Sequence, residues 1–376
     1  MFGKSLNQQY MMTLGIPFLR RLGCILLLLW TSAYSQQRTD PSPQAKAAQL
    51  VESFMRQKSI PGLSVAVTHK NQLLWSRGFG FADLENRVQM WPNTMMRIAS
   101  ISKPITAVAL GLLWESGDLD WDAPVRKYVP AFPEKKWTFT VRQLASHQAG
   151  IRTYRGNEYY SKKYYRNTME SLVIFKNDSL QFKPGTKFLY STYGYTLLGA
   201  VIQGASGQDY RAFVRQRVFD PLKMYNTQAE DRGVANYVTS RFYTKDKRTG
   251  RILGAKWVDN SNKWAGGGFL STAEDVAHFG GGLLTGRLLK KETLELLFTP
   301  IPTQSGKVTN YGLGWAAETR NGKRFIGHSG SPVGGSAVLV LLPEKQLAIA
   351  ILCNLQAVEL RYLAYDLSAL FEAQLK

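Results

Sequence analysis

Cysteine is nearly missing from this chain of 376 residues: Cys24 and Cys353 are the only two, so no disulfide framework holds the fold. Histidines number four (His69, His147, His278 and His328), and neither C-x-x-C nor H-E-x-x-H occurs. A metal cluster is therefore not expected, and no cofactor is implied. G-x-S-x-G is also absent, which argues against the strand-turn-helix nucleophile of α/β-hydrolases. No apolar run outside the N-terminus approaches the ~20 residues of a spanning helix. Acids are scarce, with 27 against 47 basic residues and a formal net charge of +20. That imbalance raises nucleic acid or a membrane surface as partners, a question decided by where the charges sit. What is present is 44% hydrophobic content, enough for a sizeable folded core and too much for a disordered chain.

Residues 1–35 carry Lys4, Arg20 and Arg21 and no acid, then an apolar run at 22–30 and small residues ending at Ser35. This pattern reads as a cleaved export signal over 1–35, followed by a polar linker over 36–46. An uncleaved anchor and a mitochondrial presequence are the alternatives. Cleavage would remove Cys24. Cys353 ends the apolar run 348–353 and is expected to be a buried, inert thiol.

The remaining chain, 47–372, reads as one α+β domain. Helical spacing covers 45–55, and two short strands cover 62–68 and 73–79. Residues 98–115 are apolar almost all round and stop at Ser116-Gly117, the pattern of a core helix with a glycine after its end. Residues 118–250 show helical stretches and no convincing strand pairs. Ser271-Thr272-Ala273-Glu274 has the spacing of a capping box. Strands at 336–342 and 347–353 flank the turn Pro343-Glu344-Lys345, and a helix closes the chain over 358–375. The expected architecture is an antiparallel sheet flanked by helices, built from both ends of the domain (about 47–98 plus 255–372). A helical subdomain (about 99–254) is inserted between them.

Three sites carry candidate chemistry. Ser100-Ile101-Ser102-Lys103 opens the core helix, so Lys103 lies one turn from Ser100 on the same face. There a neutral amine can take the serine proton, and the helix start favours a developing anion. The competing reading is an N-cap serine followed by a solvated lysine, and it is weakened by the apolar setting. Tyr190-Ser191-Thr192 lies in a loop that turns directly into an apolar helix. A lysine ammonium nearby would lower the tyrosine pKa toward general-base duty. His328-Ser329-Gly330 precedes the strand at 336–342 and offers a cation, a hydroxyl and a close backbone approach; the competing reading of His328 is a surface turn histidine.

In that order, Ser100-x-x-Lys103, Tyr190-Ser191-Thr192 and His328-Ser329-Gly330 resemble the three motifs of the serine β-lactamase-related family. That family includes class C β-lactamases, D-alanyl-D-alanine carboxypeptidases and related esterases. The likeness covers roughly 47–370, and the segments at 97–103, 188–195 and 263–268 are especially similar to animal mitochondrial members. The resemblance implies a β-lactamase/transpeptidase-like fold and Ser100 as the acylated nucleophile, with Lys103 and Tyr190 sharing acid and base duty. It further implies an oxyanion hole from the backbone N–H groups of Ser100 and Ser331, and a pocket lined by Thr192, His328, Ser329 and Gly330. Thr192 stands where typical members carry an asparagine that contacts the substrate amide in β-lactamases. Acyl transfer is therefore expected, and efficient β-lactam hydrolysis is not.

Two further histidines are read structurally: His147, in a Leu-x-x-His-x-x-Gly segment, as a loop-fixing residue, and His278 as solvated. Residues 152–166 interleave Tyr154, Tyr159, Tyr160, Tyr164 and Tyr165 with five basic residues, a composition that could stack single-stranded nucleic acid. Their place between the first two motifs favours a substrate-facing or solvated flank, so no nucleic-acid partner is expected. The functional expectation is a serine hydrolase acting through an acyl-enzyme on a peptide, amide or ester, with peptidase or esterase activity favoured over β-lactamase. The alternative is a catalytically weak scaffold or assembling protein of the same fold. Once the signal is removed, no spanning helix is expected.

Overall fold

The computed structural model describes residues 42–232 and 238–375. The export-signal reading of 1–35, Cys24 and the start of the linker lie outside the described residues. Helix α1 (Pro43–Lys58) begins with Ser42 accepting from the Ala45 N–H, and it buries Ala47, Ala48, Val51 and Met55 along one stripe. The chain then runs through β1 (Gly62–His69), β2 (Gln72–Asp83), β3 (Val88–Gln89) and the core helix α2 (Ser102–Glu115). Later come α3 (Thr192–Ser206), α4 (Ala273–Leu284), β4 (Ala316–Arg320), β5 (Lys323–Gly330), β6 (Ser336–Leu342), β7 (Leu347–Cys353) and α5 (Arg361–Glu372).

One seven-stranded sheet has the order β3-β2-β1-β7-β6-β5-β4, and every pair is antiparallel. The two ends of the domain meet at its centre, where Val65 lies opposite Ile351 and Ile351 opposite Val338. Alternate side chains serve two cores. Val65, Val67, Val338, Val340, Ile349 and Ile351 pack with Val51 of α1 and Leu367 and Phe371 of α5. Leu339, Leu341, Ala348, Ala350 and Leu352 belong to the other core, with Val276 and Phe279 of α4 and the apolar residues of α2 and α3. Helices on both faces explain why β6 and β7 read as unbroken apolar runs. Helix α2 is buried from Ser102 to Leu113, which accounts for its lack of a polar face.

Three expectations are refined. Residues 118–250 do supply strands, Gln228–Ala229 and Tyr243–Lys245, although the partners of both lie beyond residue 250. Met96–Arg97 and Gln228–Ala229 both pair with Phe269–Ser271, and Tyr243–Lys245 pairs with Ile252–Gly254. At two or three residues each, they are too short for an alternation to register. Helix α4 is capped one residue later than its spacing indicated. Ser271 is held in a strand, so Thr272 is the N-cap and accepts from the Asp275 N–H at 3.1 Å, while Glu274 receives the Ser76 hydroxyl of β2. The closing helix starts at Arg361, because the Val358 N–H is drawn to Ser336 Oγ at 2.9 Å.

Candidate active site

Ser100 sits in a single turn of 3-10 helix, Ala99–Ile101, that leads into α2. Ala99 has a positive φ of 43°, an uncommon conformation for a residue with a Cβ and one that turns the chain sharply just before Ser100. The Ser100 side chain caps no helix; the residue at the N-cap position of α2 is Ile101. Lys103 is 0% exposed. Its Nζ lies 3.0 Å from Ser100 Oγ, 2.7 Å from the Gly266 carbonyl and 3.4 Å from Thr192 Oγ1. Those contacts include no carboxylate, and burial, helped by the charge of Lys263, holds the Lys103 pKa well below the usual 10.5. The N-cap and solvated-lysine reading therefore does not describe this site.

Tyr190 lies just before α3, whose N-cap Ser191 accepts from the Gly194 N–H. Its ring is 4.7 Å from Lys103 Nζ, and its hydroxyl engages Ser100. The expected lowering of its pKa is reversed: desolvation holds the phenol well above its usual value, outweighing the Ser100 hydrogen bond. The nearby Tyr154 phenol adds to the upward shift. His147, with a positive φ of 60°, accepts from the Ser191 N–H on Nδ1 at 3.2 Å. It fixes the loop as expected, and its ring packs 4.3 Å from that of Tyr190.

The third motif forms the end of β5. Strand β4 pairs only with Lys323 to Gly327, so the outer edge of 328–330 has no strand neighbour among the described residues. His328 is buried; its Nδ1 donates to the Ser329 carbonyl at 2.7 Å, and its Nε2 accepts from the Tyr311 hydroxyl at 3.0 Å. Burial, then repulsion from Lys103, lowers its pKa to about 3. It is a neutral wall residue, neither the cation that its motif pointed to nor a surface turn histidine. Gly330 is required by close packing, since a Cβ there would lie 2.2 Å from the Ile98 carbonyl oxygen. Ser100, Tyr190, Tyr311, His328, Ser329 and Ser331 line one open cavity of about 430 Å³.

Sequence reasoning missed Tyr311, which has no motif of its own, and the parts played by Lys263 and Gly266. Both of those lie in the segment 263–268, whose likeness was legible without a role. The tyrosine-rich stretch is solvated in part: Arg155, Tyr160, Lys162, Lys163 and Arg166 are exposed, whereas Arg152 and Tyr165 are buried. Tyr159 donates to the Ser331 carbonyl at 2.9 Å, and Arg152 is buried against Glu158 and Asp178 at 2.6 and 2.5 Å. Arg155 and Arg166 pair with Asp178 and Glu170, so much of the positive charge is matched internally. His278 is half-buried, 3.1 Å from Asn71 Oδ1, and so is solvated only in part. Cys353 is buried, with its thiol pushed up to about 11. Among the described residues, no group of three or more His, Cys, Asp or Glu is placed to hold a metal ion, and no helix is long and apolar enough to cross a membrane.

The beta-lactamase family model matches residues 47–370. This chain belongs to the beta-lactamase family. Within this family of serine hydrolases it is similar to the human mitochondrial serine beta-lactamase-like protein LACTB, at 34% identity over 83% of this chain and 76% of that protein. It is also similar to penicillin-binding protein 4* of Bacillus subtilis, at 26% identity over 77% of this chain and 67% of that one. Among solved structures, the octameric penicillin-binding protein homologue from Pyrococcus abyssi superposes with a TM-score of 0.76 at 26% identity, covering 87% of this chain and 77% of that one. The beta-lactamase fold places α2 with Ser100 beside the end of β5. At Thr192 the methyl group packs so tightly against Gly266 that a Cβ on that glycine would lie 2.7 Å from it.

Proposed function

We propose that this protein hydrolyses a peptide, amide or ester through an acyl-enzyme on Ser100. The observation that carries the reading is a fully buried lysine, in contact with no carboxylate, 3.0 Å from a serine hydroxyl that opens onto a cavity. As Ser100 Oγ attacks the carbonyl carbon, its proton passes to the neutral Lys103 amine. The oxyanion is held by the backbone N–H groups of Ser100 and Ser331. Collapse breaks the bond to the leaving amine or alcohol, which takes its proton from Lys103 by way of Tyr190. A water molecule then attacks the acyl carbon and gives a proton to the same pair, which returns it to Ser100 Oγ as the acyl C–O bond breaks and the acid product leaves. Tyr190 stays protonated at rest and acts as a relay and acid, with Lys103 the resting base.

Thr192, His328, Ser329 and Gly330 face the substrate. The unpaired edge at 328–330 favours an extended peptide or amide, which would add main-chain hydrogen bonds as a further strand. Thr192 is shorter than asparagine and is occupied with Lys103 and Gly266, so β-lactams are expected to acylate slowly and turn over poorly. Intact-mass analysis after incubation with a fluorophosphonate and with a penicillin, followed by peptide mapping, tests the reading. A single adduct on Ser100 that disappears in Ser100→Ala is expected. Equal labelling of Ser100→Ala would sink the mechanism. Hydrolysis of p-nitrophenyl esters and D-Ala-D-Ala peptides then separates esterase from peptidase.

Residues 1–35 act as a targeting segment in this reading. An export signal is the simplest reading of its composition, and the mitochondrial name of the human relative favours the organelle. N-terminal sequencing of the mature protein and its cell fraction decides between them.

A further inference from the structure

Lys263 is the second buried lysine at this site, 6% exposed. Its Nζ lies over two tyrosine rings, 5.4 Å from the centre of Tyr154 and 5.1 Å from that of Tyr159, and donates to the Tyr159 carbonyl at 3.4 Å. No carboxylate lies within ion-pairing distance among the described residues; Arg97, Glu230, Asp259 and Lys103 are the charged groups near enough to act on it. A lysine without an ion pair in such a place is costly unless the ring faces hold it.

What the two tyrosines do next gives the arrangement its meaning. Tyr159 places its hydroxyl on the Ser331 carbonyl at 2.9 Å. The Tyr154 hydroxyl faces Thr192, the residue whose own hydroxyl lies 3.4 Å from Lys103 Nζ. The rings of Tyr154 and Tyr159 pack edge to face at 5.6 Å. Three residues beyond Lys263, the Gly266 carbonyl accepts from Lys103 at 2.7 Å. One short segment therefore touches the base through its backbone and, through a side chain, the wall on which substrate would lie.

We propose that Lys263 is a positioning residue: clasped by Tyr154 and Tyr159, it fixes those rings so that Ser331 and Thr192 stand at the correct distance from Ser100. The inference rests on the proposed roles of Ser100, Lys103 and Ser331. Lys263 also acts at a distance, since its positive charge helps keep Lys103 deprotonated. Its own pKa is lowered to about 8, chiefly by burial and then by Arg97, against the raising effect of Glu230 and Asp259.

The test compares the second-order rate of fluorophosphonate labelling, as a function of pH, for the wild type, Lys263→Met, Lys263→Arg and Tyr159→Phe. Lys263→Met is expected to label on the order of 10- to 100-fold more slowly, the scale of a reacting group misplaced by about an ångström. Its acid limb is expected at higher pH, because Lys103 holds its proton longer once the neighbouring charge is gone. Lys263→Arg keeps the charge and the ring contacts and is expected to hold the wild-type limb, which a purely space-filling lysine would not require. Tyr159→Phe is expected to slow labelling without moving the limb. Wild-type rate and pH profile in a folded Lys263→Met would overturn the inference alone. If that variant does not fold, unchanged labelling in Tyr159→Phe overturns it. A wild type that takes no label at all removes the Ser100 reading, and this inference with it.

Discussion

The amine of Lys103 donates to the Gly266 carbonyl across 2.7 Å. With Thr192 Oγ1 as a second acceptor, a neutral amine has partners for both N–H bonds, and its lone pair is left for the Ser100 proton. Lys103→Met is accordingly expected to slow fluorophosphonate labelling of Ser100 by about 10²–10⁴-fold, the usual worth of general-base catalysis. Its Tm is expected to hold or rise, since methionine fills the space without a buried amine. Labelling at the wild-type rate would falsify the base assignment.

The pH dependence follows from the same contact. Lys103 serves as a base only when neutral, and burial holds its pKa well below 10.5. kcat/KM on a p-nitrophenyl ester is expected to rise with pH and level off before an ordinary lysine titrates. A limb centred where free lysine titrates would contradict this.

His328 sets an acid-side cost to stability. Its folded pKa is lowered to about 3 from an ordinary 6.5, so above pH 6.5 it is neutral in both states and its contribution is fully present. As the pH falls below 6.5, the unfolded chain binds a proton that the folded one refuses. Stability then falls by up to about 1.4 kcal/mol per pH unit, until the folded state also protonates. Urea midpoints between pH 4 and 7 are expected to fall more steeply for the wild type than for His328→Asn, and parallel curves would refute the neutral histidine.

Gly330→Ala is expected to destabilise the fold by about 1–3 kcal/mol, the range for overpacking a filled interior. The new Cβ would press on the Ile98 carbonyl two residues before Ser100, so the rate of Ser100 labelling should fall as well. Urea denaturation with the labelling assay reads both, and a neutral result in the two would mean that β5 yields freely.

Arg152 is 6% exposed, between Glu158 and Asp178, and its carbonyl receives the Ser191 hydroxyl at the start of α3. Arg152→Met leaves Glu158 without its cation and Asp178 with Arg155 alone, and a loss of about 3 kcal/mol is expected in urea titrations. Arg152→Lys should recover little, because a single ammonium cannot reproduce the forked contacts.

Much of this was legible before any coordinates. The apolar runs on either side of Pro343-Glu344-Lys345 became β6 and β7 at the bounds expected, and the three-residue spacing of Ser100 and Lys103 placed both at one end of α2. What stayed hidden depends on neighbours distant in sequence. Lys263 has no role in the sequence until Tyr154 and Tyr159 close over it, and Tyr311 has no partner until β5 brings His328 to it. The sign of the Tyr190 shift was misjudged because burial acts on Lys103 and Tyr190 together, and no local pattern reports that. The stretch 152–166 read as a substrate-facing or solvated flank, and its internal ion pairing stayed hidden because one of its main counter-charges, Asp178, lies beyond it.

The meeting of β1 with β7 at the centre of the sheet has a temporal side. Val65 waits for Ile351, and the backbone before Ser100 waits for Gly330. Contacts between such remote parts of a chain form late and slowly. Ser100 and Lys103 are close in sequence, whereas the opposing wall of the cavity comes from residues more than 200 positions later. Under the proposed mechanism Ser100 is expected to take a label only once that wall is in place, so fluorophosphonate labelling during refolding would report completion of the molecule.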